Sequence, residues 1–216
     1  MFQFVLLLKI FKMNLRGLIT VVFLSLTLTS FSQKSRKEYY AEIRKERIEK
    51  DKEFLNPDDS PLPVEEIKAF KGLNYFKPDK KYKITARLER FSTPDTIKMK
   101  TTTERLPLYI VYGRAIFTVD RQTDTLTIFR NVGLMTKEGF EDYLFVPFMD
   151  ETSGEESYGG GRYIDTRIPD NDYIELDFNR AYNPYCVYNK KKYSCPIPPQ
   201  ENFINARIKA GEKNFN

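Results

Sequence analysis

Tyr82-Lys83-Ile84-Thr85-Ala86-Arg87-Leu88-Glu89 alternates without a break: Tyr82, Ile84, Ala86 and Leu88 form one set, and Lys83, Thr85, Arg87 and Glu89 the other. Successive side chains of a strand point to opposite faces, so this stretch lays one face on a core and the other in water. The pattern recurs downstream. Leu108–Tyr112, Ala115–Val119, Leu126–Phe129, Leu144–Phe148, Tyr163–Thr166, Tyr173–Phe178 and Phe203–Ile208 are short, rich in β-branched or aromatic residues, and separated by Gly, Pro, Asp or Asn. Strands at spacings of roughly 8 to 12 residues, with no helical crossovers between them, predict an antiparallel β-sandwich or barrel and not a parallel α/β sheet.

Upstream of these strands the period is helical. Ser35 with Glu38 three residues on is a capping-box pattern, and Arg36 to Leu55 contains no Gly or Pro. Its apolar stripe (Tyr40, Ile43, Phe54, Leu55) is thin, which predicts a helix on the outside of the domain. Asn56-Pro57 ends it. Pro63 to Phe70, with Gly72 just beyond, predicts a short second helix. The expected fold is therefore mainly β, with an N-terminal helix after a signal peptide. The expected divisions are 1–32 as the signal peptide, 33–62 as the helix and a Pro-rich connection, and 63–216 as one β-rich domain.

The signal peptide is read from composition. The first 32 residues hold no Asp or Glu and only Lys9, Lys12 and Arg16 as charges. Gly17 to Leu28 is apolar apart from two threonines and a serine, and Ser30-Phe31-Ser32 offers a small-x-small cleavage pattern. The apolar run is shorter than the roughly 20 residues a bilayer core requires. An uncleaved signal anchor stays open, because Phe2 to Phe11 is a second apolar stretch; membrane contact is expected only through this segment. Export to the periplasm or the exterior is the expectation. The net charge of +5 is 35 basic minus 30 acidic residues, and removing 1–32 leaves 32 minus 30, or +2. So even a balance, spread along the chain, argues against a nucleic-acid partner.

An oxidising compartment lets thiols pair. Cys186 and Cys195 flank a charged turn, Lys190 to Lys192, that resembles a hairpin tip. A disulfide between them is expected, with two separate buried thiols as the alternative. With no histidine in the chain, a zinc tetrahedron would be half empty, so neither a metal nor a cofactor is expected. The same absence excludes Ser-His-Asp and Cys-His nucleophile systems.

Two segments are dense in polar chemistry. Phe145 to Tyr163 holds four acids, three consecutive glycines at 159–161 and Arg162. Glycine turns can aim backbone N–H groups at an anion, and Arg162 can grip a carboxylate or phosphate. The phosphate-loop pattern fails, since Gly160 and Gly161 stand where Lys and Ser or Thr are required. Calcium fits no better, because the closing glutamate of an EF-hand loop is missing. The alternative is a bulged connection with Arg162 paired to an acid of its own loop. The second segment, Asp177 to Asn202, sets Asp177, Asn179, Asn183, Glu201 and Asn202 among Tyr182, Tyr185, Tyr188 and Tyr193. Aromatic faces with amides and carboxylates suit a polar organic ligand or glycan; as a purely structural set they would brace turns. The candidate ligand-binding residues are Tyr158, Arg162, Asp177, Asn179, Tyr185 and Glu201. Asp177 and Glu201 are the candidate catalytic pair for a carboxylate-based hydrolase.

Several stretches resemble the bacterial family catalogued as domain of unknown function 1684. They are Phe70 to Phe76, Tyr112 to Phe117, the run ending YGGGRY at Tyr163, LDFNRAYNPYC ending at Cys186, CPIPPQEN from Cys195, and AGEK at Ala210 to Lys213. The resemblance implies one β-rich domain of about this size and names no catalytic residue. The resulting expectation is an exported binding or accessory domain. A hydrolase acting on an envelope glycan and a purely structural envelope protein stand as the alternatives.

Overall fold

The computed structural model describes residues 36–215. The expected signal segment and the capping Ser35 lie outside the described residues. The chain divides into two compact units, Met1–Lys45 and Glu46–Asn216. A helix, α1, runs over residues 36–55, as its uninterrupted helix-forming composition predicts. The described part of the first unit is the opening of this helix, and the strands belong to the second unit. A second helix, α2, is only Val64–Ile67, shorter than the span Pro63 to Phe70. Its four residues are one turn anchored by the buried Ile67. No helix among the described residues is long and apolar enough to cross a membrane.

Eight strands form one sheet: β1 (Lys83–Arg90), β2 (Thr96–Lys98), β3 (Leu108–Val119), β4 (Gln122–Asn131), β5 (Tyr143–Asp150), β6 (Arg162–Arg167), β7 (Tyr173–Asp177) and β8 (Phe203–Ile204). The order is β6-β5-β4-β3-β1-β7, all antiparallel, with β2 added to β3 and β8 running parallel to β5. The sheet curls into a half-barrel, resolving the choice between sandwich and barrel. Thr166 Oγ1 on β6 donates to the Glu175 carbonyl on β7 at 3.4 Å, so the two ends of the strand order approach each other.

The opening stretch becomes β1, with Ala86 and Leu88 buried and Thr85 and Arg87 exposed. Leu108–Tyr112 and Ala115–Val119 are one strand, β3, with a register shift between Val111 and Gly113 where the apolar pattern breaks. Gly113 is required there: a Cβ would lie 2.4 Å from the Glu89 carbonyl oxygen of β1. β3 turns into β4 through Asp120 and Arg121, both at positive φ (47° and 69°), the backbone that a tight hairpin needs. Phe203–Ile208 is a strand only at its first two residues. Beyond them the chain leaves the β5 edge and fills the concave side with Ile204, Ala206, Ile208 and Ala210.

That concave side is the main core. Ala115, Phe117, Leu126, Ile128, Leu144, Val146, Phe148, Ile164, Leu176 and Phe178 pack there. Each large apolar side chain contributes about 1.5–3 kcal/mol by leaving water. The convex side carries a second cluster of Met99, Tyr109, Phe129, Phe145 and Tyr163. Because β5 is covered on both faces, it reads as an unbroken apolar run and not as an alternation.

Candidate functional site

The convex cluster is the floor of a cleft with a volume of about 790 Å³. Period-two geometry decides which side chains reach it: Tyr109 from β3, Tyr143 and Phe145 from β5, Tyr163 and Asp165 from β6. Tyr182 joins them because its backbone pairs with Tyr163 in both directions, at 2.9 and 3.1 Å. The rings interlock edge to face, with Phe145 and Tyr163 centroids 4.8 Å apart and Tyr163 and Tyr182 5.7 Å apart. Tyr185 and Tyr193, 5.2 Å apart, extend the aromatic surface. Glu46, Glu49, Lys50 and Glu53 of α1 form the opposing wall. That part of α1 is held by Glu46 to Arg180 at 2.8 Å and by Lys50 to the buried Glu212 at 2.8 Å.

Asp165 is the polar centre of the cleft. Its Oδ1 accepts from the Tyr143 hydroxyl at 2.7 Å and the Tyr182 hydroxyl at 2.8 Å. Water reaches the residue through the cleft mouth, yet protein surrounds the carboxylate on its other sides. Burial therefore raises its pKa, against the opposing pull of the two phenols, Lys50 and Arg167. Burial, followed by the nearby Asp165 charge, also raises the phenols of Tyr143 and Tyr182, which stay protonated as donors. Tyr163 donates its hydroxyl to the Pro196 carbonyl.

The six residues singled out in the sequence are dispersed. Tyr185 lines the cleft. Arg162 is fully buried on the concave side, where its guanidinium donates to the carbonyls of Ile208, Ala210 and Glu212 and to Asp150 Oδ1 at 3.0 Å. Asp150 in turn accepts from the amides of Thr152 and Ile208. The glycine-bearing loop is thus braced by an arginine paired with an acid of its own segment. Asp177 caps the turn after β7 by accepting from the Asn179 amide at 3.1 Å, and pairs with Arg180. Asn179 accepts from the Asp79 amide and donates to the Asp79 carbonyl, both at 2.9 Å. Glu201 is exposed on a short 3-10 turn, and neither it nor Asp177 lines the cleft. Tyr158 is half-buried and packs over Gly160, where a Cβ would meet its ring at 2.4 Å.

Cys186 and Cys195 are buried and carry free thiols, with the Cys186 amide donating to Cys195 Sγ at 3.0 Å. They are not joined by paired strands. Tyr185–Val187 is a 3-10 turn and Asn189 to Tyr193 a second turn, because backbone N–H groups there bond locally to Tyr185 and Asn189 carbonyls. A hydrogen bond from Cys195 lowers the Cys186 pKa to about 7 and raises that of Cys195. No group of three or more Cys, Asp or Glu side chains among the described residues is placed to hold a metal ion.

Asp165, Tyr143 and Tyr163 were not singled out as site residues. The signal for them was the apolar run at 144–148, which announces a covered outer face, beside an acid whose parity on β6 sends it to that same face.

Comparison with known proteins gives the lineage. The model of the family described as "Protein of unknown function (DUF1684)" matches residues 68–213. The chain belongs to this family. A solution NMR structure of an uncharacterized protein from Haloarcula marismortui is similar at 34% identity, with a TM-score of 0.63, covering 83% of this chain and 96% of that one. A search of curated proteins finds no match. The DUF1684 match takes in every β-strand and most of the cleft lining, while the acidic wall from α1 lies before it.

Proposed function

We propose that this DUF1684 protein is a binding or accessory domain that holds a small polar organic molecule or a glycan segment in the tyrosine-lined cleft. The observation that carries the proposal is a concavity of about 790 Å³ with interlocked aromatic walls and the Asp165 carboxylate among them. Ligand sites are mostly apolar surfaces of this size with a few convergent polar groups. Tyr185 is retained from the sequence-derived set, and Asp165, Tyr143, Tyr163 and Tyr182 are added to it.

We further propose that the domain works outside the cytoplasm, in the periplasm or beyond the cell. Support comes from the charged-then-apolar order of Arg16 and Gly17 to Leu28 and from two cysteines already in hydrogen-bonding contact, which an oxidising space would join. A thermal-shift screen of saccharides, amines, peptides and small anions tests the binding role. Compounds that stabilise the wild type and not Asp165→Asn are expected, and silence across the screen overturns it. Intact-mass analysis of host-expressed protein tests export. The expected product begins at Gln33 and lacks two thiol hydrogens; an uncut, fully reduced cytosolic pool overturns that part.

A further inference from the structure

Around Asp165 the cleft is short of available donors, the phenols of Tyr185 and Tyr193 elsewhere on its lining apart. The hydroxyls of Tyr143 and Tyr182 are spent on Asp165, that of Tyr163 on the Pro196 carbonyl, and that of Ser194 on Thr101 and Thr103. Four carboxylates, Glu46, Glu49, Glu53 and Asp165, line the cleft; Glu46 is paired with Arg180, and the one cation on the lining, Lys50, has its ammonium 2.8 Å from Glu212. Asp165 accepts only from uncharged phenols and has no ion pair among the described residues. An anion would meet net negative charge here. A polyol would find few donors for its oxygens on the floor of the cleft.

A positively charged group finds what it needs. Aromatic faces attract ammonium ions through their quadrupole, most strongly where water is partly excluded. The molecule already uses this wall in that way, since Lys50 Nζ sits 4.7 Å from the Tyr182 ring centroid. We infer that the ligand of the cleft is an organic ammonium cation, seated against the rings of Tyr143 and Tyr182 with its charge beside Asp165. The inference rests on the cleft being a binding site, as proposed above, and names what that site takes.

The test uses the protein purified as its host makes it, titrated by NMR with choline and benzyltrimethylammonium. Each has an uncharged isostere in which a tert-butyl group replaces trimethylammonium, and methyl glucoside serves as a neutral saccharide. Both cations are expected to saturate and to shift the cleft tyrosine resonances, with each isostere weaker by about tenfold. Asp165→Asn, which keeps an oxygen for the two phenols, is expected to weaken the cations by about tenfold and leave the isosteres unchanged. An unchanged amide spectrum will show that the variant is folded. Equal binding of cation and isostere, or an Asp165→Asn variant that binds the cations as before, overturns the inference. Saturation by methyl glucoside with both cations silent overturns the ammonium class while leaving the cleft a binding site. Silence from every probe, joined to a silent thermal screen, removes both.

Discussion

Arg162 and Asp165 stand three residues apart on the same strand and face opposite sides of the sheet. Arg162 points into the concave core, where carbonyls and Asp150 take up its charge. Asp165 points into the cleft, where two phenols occupy one oxygen and burial works against its charge. Arg162 is sealed from water while Asp165 meets it at the cleft mouth, and the first charge is answered by the chain itself and the second only in part. A charge whose partners are all internal is architecture; one left partly unanswered at a cavity wall is where a ligand can gain.

The largest effect should come from the answered charge. Arg162→Met leaves Asp150 buried without its ion-pair partner and is expected to cost roughly 3–5 kcal/mol in urea unfolding. A loss below about 1 kcal/mol would remove the contrast between the two faces. Replacing Asp150 as well should not restore stability, because its carboxylate also accepts from the Thr152 and Ile208 amides.

Tyr163→Phe comes next. It strips the Pro196 carbonyl of its donor and should destabilise by about 1–2 kcal/mol without altering the sheet.

Asp165→Asn should act in the opposite direction, and only above acid pH. A carboxyl whose pKa is raised by folding binds its proton more tightly in the native state. Its ionisation therefore costs native stability, and the cost grows as pH rises from the ordinary carboxylate range through the raised value. The asparagine variant should melt higher than wild type at neutral pH, with the gap closing as pH falls through that range. Tyr143, Tyr182, Lys50 and Arg167 are the groups that oppose the effect of burial on this carboxyl. A gap independent of pH would place the effect elsewhere.

Tyr185→Ala, at the exposed rim, should shift stability by no more than about 0.5 kcal/mol while weakening any cleft ligand.

The strands were legible because each keeps one parity for the core. The alternation at 82–89 and the apolar sets at 126–129 and 173–178 map directly onto β1, β4 and β7. Where parity is lost, the sequence misleads. The bulge beside Gly113 splits one strand into two apparent ones, and the 204–210 segment keeps an alternating pattern because it fills a concavity, not because it pairs. The site was harder to see for a related reason. Charged and amide residues crowd 150–162 and 177–202 because irregular backbone needs side-chain partners, and Arg162, Asp177 and Asn179 supply them. The floor residues Tyr109, Tyr143, Phe145, Tyr163 and Asp165 sit instead on regular strands, where density in sequence gives no hint. Tyr182, Tyr185 and Tyr193 are the exceptions, since they belong to the dense 177–202 segment and line the cleft as well.

The half-barrel is filled from the far end of the chain. Ile204, Ala206, Ile208 and Ala210 occupy its hollow, and Arg162 clasps the carbonyls that hold them there. A nascent polypeptide released only as far as β7 therefore has all its long strands and an open hollow, with a guanidinium lacking its acceptors. Closure depends on the segment through Glu212, so the core of the half-barrel and the partners of Arg162 are completed by residues distant in sequence from most of the strands they pack against.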